Sequence, residues 1–452
     1  MVSSAFHWAV ETTDWVFQKV LGYLLRAVVF TFGEYNTSWF KRQIIELYKG
    51  GCFDTLQGRS FFDPERLEAS RRVFEALGCK IERIKTIEQE LDPDTRRTSK
   101  LEYCHIKYQD VKRTIEQKGG QWIEMAVSQN ADGTFVEDIF SDQSIEVILQ
   151  DEATHHPEWA NYYRDVLSKM IRKSSLQLGW EEVQVEIGGQ KKKALLTMHW
   201  KSGMERPQED LCFIRCHAPT SSWAMERGLF ALYLSLHANS YFFDPRGYYK
   251  SIGKITEGGG YLDAETMYEL AKKTYAPHDI YVTGFCLGSA YATHLFARYQ
   301  FEGINLVMEN GFDALPNTFK NSYGFVGYHL AMCGIRELKS YSPEVKHRVA
   351  QDYFNNVAKL ANCHPKAGPG SHAIIVNTHP DHLVGEEAPE KLIKAARSGL
   401  GAEKVTQFIY DAKGQAEGHS LDPFADKQLW ERFICQVARQ NPRQVSRPIP
   451  AN

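Results

Sequence analysis

Of the nine cysteines in the chain, one sits where a thiol could act as a nucleophile. Ile280-Tyr281-Val282-Thr283-Gly284-Phe285-Cys286-Leu287-Gly288-Ser289-Ala290 reads as an apolar strand, a G-x-C-x-G turn and a helix that opens on small residues. So sharp a turn holds its central residue in a strained backbone conformation, and the residues two before and two after it must be tiny to avoid collision. Gly284 and Gly288 meet that demand. The turn presents the sulfur at a helix N-terminus, where free N–H groups and the helix dipole favour an anion, and the thiolate is the reactive form of cysteine. A cysteine chosen at random is more often a small buried hydrophobe; the flanking glycines in a strand-turn-helix context set this one apart. The other eight (Cys52, Cys79, Cys104, Cys212, Cys216, Cys333, Cys363 and Cys435) are widely spread with no CxxC pair. That distribution points to a reducing, cytoplasmic setting and away from a disulfide framework or a structural zinc site.

The elements that must position Cys286 alternate strand and helix. The sequence predicts strands over 211–216, 240–244, 280–284, 304–309, 373–378 and 405–411, with helices over 223–236, 262–275, 287–298 and 388–396 between them. Such alternation is the pattern of an α/β domain, a mostly parallel sheet covered by helices on both faces. A hairpin over 181–187 and 193–200, around Gly188-Gly189, would open the sheet, so the catalytic domain is expected to span 179–440 with a flexible tail over 441–452. No GxGxxG follows any of these strands, which removes a dinucleotide-binding domain. Residues 310–370, carrying Phe319, Tyr323, Phe325, Tyr328, Leu330 and Met332, form a candidate cap insertion over the site. Residues 1–178 read as a separate, mainly helical α+β region of unknown role, with helices over 14–32, 36–48 and 63–91 and strands over 102–108, 121–128 and 144–149.

The GFCLGSA turn and its surrounding strands resemble the nucleophile motif of the α/β-hydrolase superfamily, and the cysteine version is similar to that of dienelactone hydrolases, polyhydroxyalkanoate synthases and bile-acid acyltransferases. The segment Tyr241-Phe242-Phe243-Asp244-Pro245-Arg246-Gly247-Tyr248-Tyr249-Lys250-Ser251 resembles the D-x-R-G-x-x-x-S loop of many members. The resemblance covers about 180–433 and implies a triad in the chain order nucleophile, acid, base. It places the acid at Asp381, in the His379-Pro380-Asp381-His382-Leu383-Val384 run that follows strand 373–378, and the base at His419, between the last strand and the last helix. His379 and His382 compete for the base; as a metal pair they lack helical ligand spacing and an evident third ligand. The first oxyanion donor is expected to be the backbone N–H of Leu287. The second should come from His217-Ala218-Pro219-Thr220-Ser221-Ser222, with Thr220 the candidate because Pro219 has no N–H. Here the chain departs from the superfamily's HG-x pattern, Ala218 standing where glycine is usual.

The implied chemistry is acyl transfer through an acyl-cysteine, with His419 taking the thiol proton and Asp381 fixing the imidazole tautomer. Three readings follow: a hydrolase of esters, thioesters or amides; an acyltransferase using the same triad; or a non-catalytic binding protein on a hydrolase scaffold. None requires a metal or cofactor. The partner is an acyl-containing small molecule or an acylated protein, and a net charge of −3 from 53 basic and 56 acidic residues gives nothing that would steer nucleic acid. The apolar stretch 14–32 holds Gln18, Lys19 and Arg26 on one helical face, and is read either as a packed helix or as a peripheral membrane contact. The sequence carries no mark of an oligomeric state.

Overall fold

Strands buried on both faces need apolar residues at nearly every position, and four consecutive strands here have them. In the computed structural model, β6 (Cys212–Cys216), β8 (Ile280–Phe285), β9 (Asn305–Glu309) and β10 (Ala373–His379) are parallel neighbours, buried along almost their whole length. The structure describes residues 77–86, 99–117, 121–126, 179–187, 190–202, 211–218, 221–226, 238–253, 256–321, 352–368, 371–381 and 383–411, with isolated positions elsewhere between Leu67 and Val437. The expected helix at 14–32, His382, Thr220, the 441–452 tail and the 322–351 part of the cap candidate lie outside the described residues.

Four further strands complete an eight-stranded sheet: β1 (Lys80–Lys85), β2 (Lys100–Ile106), β7 (Asn239–Asp244) and β11 (Val405–Asp411), in the order β1-β2-β7-β6-β8-β9-β10-β11. Only β2 runs against its neighbours, pairing antiparallel with both β1 and β7. This is the α/β-hydrolase fold expected from the sequence, a mostly parallel sheet covered by helices. Helices α2 (Glu257–Ala271), α3 (Leu287–Tyr299), α4 (Asn356–Ala361) and α5 (Ala388–Leu400) contribute to one continuous apolar core with Cys212, Ile214, Val282, Leu306, Met308 and Ile375 of the sheet. The alternate residues Phe213, Phe242, Tyr281, Val307 and Ile374 are buried on the opposite face. There Phe213 stacks on Tyr233 with ring centroids 4.2 Å apart, and Phe74 meets Trp223 edge-on at 5.5 Å.

Two expectations about the N-terminal half need correction. The eight-stranded sheet does not begin at 179: its antiparallel opening is β1–β2, so residues 80–106 belong to it and a boundary at 178 cuts through the sheet. The hairpin, β4 (Gly179–Ile187) with β5 (Gln190–Ser202), forms instead a separate three-stranded sheet with β3 (Gln121–Ala126). The second correction concerns 80–85, expected within a helix. KIERIK is charged at four of six positions, which suits a helix surface as well as a sheet edge; pairing with β2, whose Leu101, Cys104 and Ile106 are fully buried, decides for strand. Expected helix 223–236 begins as a single 3₁₀ turn, Trp223–Met225. Helix α1 (Tyr108–Gln117) follows β2 directly. No helix among the described residues is long and apolar enough to cross a membrane.

Candidate active site

The chain passes from β6 outward to β7, then returns to place β8 on the other side of β6. Where the strand order reverses in this way, the loops at the C-terminal ends of the two strands diverge and leave a crevice, the usual ligand site of open α/β sheets. Cys286 follows β8 and His217 follows β6, so both lie at this switch point.

Cys286 occupies φ 51°, ψ −117°, a region that side-chain-bearing residues avoid, immediately before α3. The turn is held from three sides. Its N–H donates to the Glu309 carbonyl at 3.1 Å, and its own carbonyl accepts the Ser289 N–H at 3.0 Å and the Ser289 hydroxyl at 2.5 Å. A Cβ on Gly284 would strike the Gly288 carbonyl, and one on Gly288 would strike the carbonyl of Cys216, which is how closely the β6 loop approaches the elbow. Leu287 is the first helical residue, so its N–H has no acceptor within α3.

His419 and Asp381, far apart in sequence, meet in space: Nδ1 lies 2.7 Å from Oδ2. Asp381 is buried, and its other oxygen accepts the N–H groups of Leu383 at 3.1 Å and Val384 at 3.2 Å. Those bonds leave Oδ2 fixed for the imidazole. The opposite nitrogen, Nε2, is buried, and the Cys286 side chain acts on the ring both through its charge and as a hydrogen-bond partner. Burial lowers the His419 pKa, but Cys286 and Asp381 together outweigh it and raise it to about 10. A cation between two acidic partners is the physical cause. Phe285 covers one side of the ring at 5.3 Å. His379, the competing base, lies exposed at the end of β10.

The loop after β6, where the second oxyanion donor is expected, stands on buried charge. Asp244, wholly buried at the end of β7, accepts the Trp223 N–H at 2.8 Å and the Ser222 hydroxyl at 3.0 Å, and lies 3.0 Å from His217 Nε2. Its own carbonyl takes the Ser251 hydroxyl, while Arg246 pairs with buried Asp263 of α2 at 2.8 Å. The D-x-R-G-x-x-x-S segment is thereby a brace beneath the 217–223 loop. In β6, Arg215 is 3 % exposed and clasped between Glu309 at 2.6 Å and Glu226 at 3.1 Å. Burial alone would lower its pKa, and the two carboxylates raise it instead. Glu226 also accepts the Ser221 hydroxyl at 2.9 Å, extending the clasp into the loop.

The structure thus brings together Cys286, Leu287, His419 and Asp381. Sequence reasoning missed Asn310, Arg215 and Glu309. An arginine inside the apolar strand CFIRC was a readable sign of a buried carboxylate partner; Asn310 had no such sign, since Asn310-Gly311 after a strand reads as an ordinary turn.

No family model matches the chain, and no curated protein matches it. Among solved structures, an esterase of Pyrococcus furiosus is similar at 18% identity and a TM-score of 0.37, covering 60% of this chain and 92% of that one. An α/β-hydrolase of Vibrio vulnificus is similar at 19% identity and TM-score 0.36, covering 51% and 73% respectively. An esterase/lipase from an uncultured bacterium is similar at 14% identity and TM-score 0.36, covering 58% and 85%.

Proposed function

We propose that the chain is a cysteine-dependent hydrolase that cleaves an ester, thioester or amide through an acyl-cysteine intermediate. The observation that carries this reading is the His419–Asp381 bond of 2.7 Å, with the opposite imidazole nitrogen buried and under the influence of a cysteine held at φ 51°. With its pKa raised to about 10, His419 is a strong proton acceptor beside the Cys286 thiol, and the thiolate is the nucleophilic form of cysteine.

The sulfur of Cys286 attacks the carbonyl carbon, forming a C–S bond while the carbonyl electron pair moves onto oxygen. That oxyanion accepts the Leu287 N–H, and a second donor from the 217–222 loop, with Thr220 the candidate, completes the hole. Collapse restores the carbonyl and breaks the bond to the leaving group, which departs with the proton from His419 Nε2. Water then attacks the thioester, giving its proton to Nε2 as the C–S bond breaks, and the thiolate–imidazolium pair returns with release of the acid. Asp381 holds Nδ1–H throughout and stays ionised.

Steady-state turnover of a panel of p-nitrophenyl esters and acyl thioesters by the full chain tests the reading. Turnover that disappears in Cys286→Ala supports it, and a Cys286→Ala variant that keeps the wild-type rate overturns it. Product analysis with a competing amine or thiol separates hydrolysis from the alternative, acyl transfer, because a transferase gives the acylated acceptor in preference to the free acid.

A further inference from the structure

Glu309 and Asn310, the last residue of β9 and the one after it, reach both the Cys286 turn and the His419 side of the site. The Glu309 carbonyl receives the Cys286 N–H at 3.1 Å, and its carboxylate holds Arg215, on the strand that leads into the oxyanion loop. Asn310 reaches the other way. Its side-chain oxygen accepts the Thr378 N–H at 2.7 Å, and its amide nitrogen donates to the Thr378 hydroxyl at 3.0 Å and to the backbone carbonyl of His419 at 3.0 Å. Its own N–H donates to the Val376 carbonyl at 2.9 Å. The residue is fully buried and sits at φ 42°, a conformation that asparagine tolerates better than most.

These bonds have a geometric consequence. Thr378 lies on the strand that delivers Asp381, and His419 is the base, so one side chain ties the acid-bearing strand to the backbone of the residue that the acid must grip. The nucleophile hangs from the preceding peptide. A buried amide of this kind is satisfied only when all three groups are in register, because each bond it loses leaves a buried polar group unpaired.

We propose that Asn310 is a positioning residue for the base: by holding the His419 carbonyl against the acid strand it sets where the imidazole stands over Cys286. The proposal rests on the Cys–His–Asp reading above. Asn310 touches no substrate and acts only through His419 and Thr378.

The test reads the sulfur rather than turnover. The rate of Cys286 alkylation by iodoacetamide is followed against pH by peptide mass spectrometry in the full-length wild type, His419→Ala, Asn310→Asp and Thr378→Val, with thermal midpoints alongside. Asn310→Asp keeps the size, the left-handed turn and the acceptor for Thr378 N–H, but loses both donated bonds. Wild type should alkylate at mildly acidic pH far faster than His419→Ala. Asn310→Asp should lose most of that advantage, up to about 10²-fold for a misplacement near 1 Å, with its profile shifted toward that of His419→Ala. Thr378→Val, which removes one hydrogen-bond acceptor of Asn310, should shift the same way by less and decides the matter if Asn310→Asp does not fold. Wild-type profiles in Asn310→Asp, or in Thr378→Val should the former not fold, overturn the positioning role. Identical profiles in wild type and His419→Ala overturn the triad reading itself, and this role with it.

Discussion

The two sides of Cys286 are held by different physics. On the base side, Asp381 and His419 are set by hydrogen bonds from backbone N–H groups and from one neutral amide. On the side of the expected oxyanion loop, Arg215 with Glu226 and Glu309, and Arg246 with Asp263, form ion pairs, and buried Asp244 accepts hydrogen bonds from Ser222 and Trp223. A network of neutral bonds leaves the base-side pair free to gain and lose a proton in each cycle, as the proposed reaction requires. The charged clasps hold fixed charge and fixed backbone, which suits a loop whose task is to be in place before charge develops on the substrate. The contrast teaches that the moving proton and the static scaffold are kept on opposite sides of the sulfur.

The largest effect expected is on turnover. Cys286→Ala should lose at least about 10³-fold in kcat, His419→Ala a comparable amount, and the double variant no more than either, since members of a triad act as a unit. Cys212→Ala and Cys216→Ala, in the buried strand β6, should keep measurable turnover. Additive losses in the double variant would break the base side of the comparison.

Next is stability on the oxyanion side. Glu309→Gln leaves Arg215 buried with one carboxylate fewer, and loss of one member of a buried ion pair costs about 3–5 kcal/mol. Urea unfolding should show that loss; a change below about 1 kcal/mol would mean that the clasp is not an ionic one. Asp244→Asn keeps an acceptor for the Trp223 N–H but removes the negative charge beside His217 and Ser222. Kinetics should then show a fall of about 10-fold to 10²-fold in kcat with little change in KM, as for a loosened oxyanion donor.

The smallest effect is a pH slope. His419 has a folded pKa raised from 6.5 to about 10, so the folded protein holds more proton than the unfolded chain between those values. The stability it contributes is complete below about pH 6.5 and is lost as pH rises through about 10. Because a proton that His419 takes from the Cys286 thiol leaves the count of the pair unchanged, thermal midpoints of wild type should fall more steeply than those of His419→Gln in the upper part of that window, above about pH 8.5 where the unfolded thiol also ionises. Parallel slopes would show that the imidazolium is not held as described.

Much of the C-terminal half was legible in the sequence because its determinants are local. β8, β9, β10 and β11 are short apolar runs with turn signals at their ends, and the G-x-C-x-G turn announces its own geometry through the two glycines. What was not legible depends on partners distant in the chain. KIERIK is a strand only because Leu101–Ile106 lies beside it, and that strand in turn pairs with β7, as Tyr103 with Phe243. The β4–β5 hairpin has strand character in its own residues, but nothing in them says which sheet it joins. Asn310 bonds to groups 68 and 109 residues away, so its part in the site exists only after folding. The turn around Cys286 could be read from one peptide; the frame around it could not.

The central claim is a covalent bond to one sulfur. The full-length protein is mixed with an activated ester, quenched in acid within the first turnovers, and digested for mass mapping. A single acyl group on the peptide containing Cys286, released by neutral hydroxylamine and missing from Cys286→Ala, is the predicted result. Acylation of a different residue, or steady turnover with no adduct at Cys286 at any quench time in wild type, would contradict it.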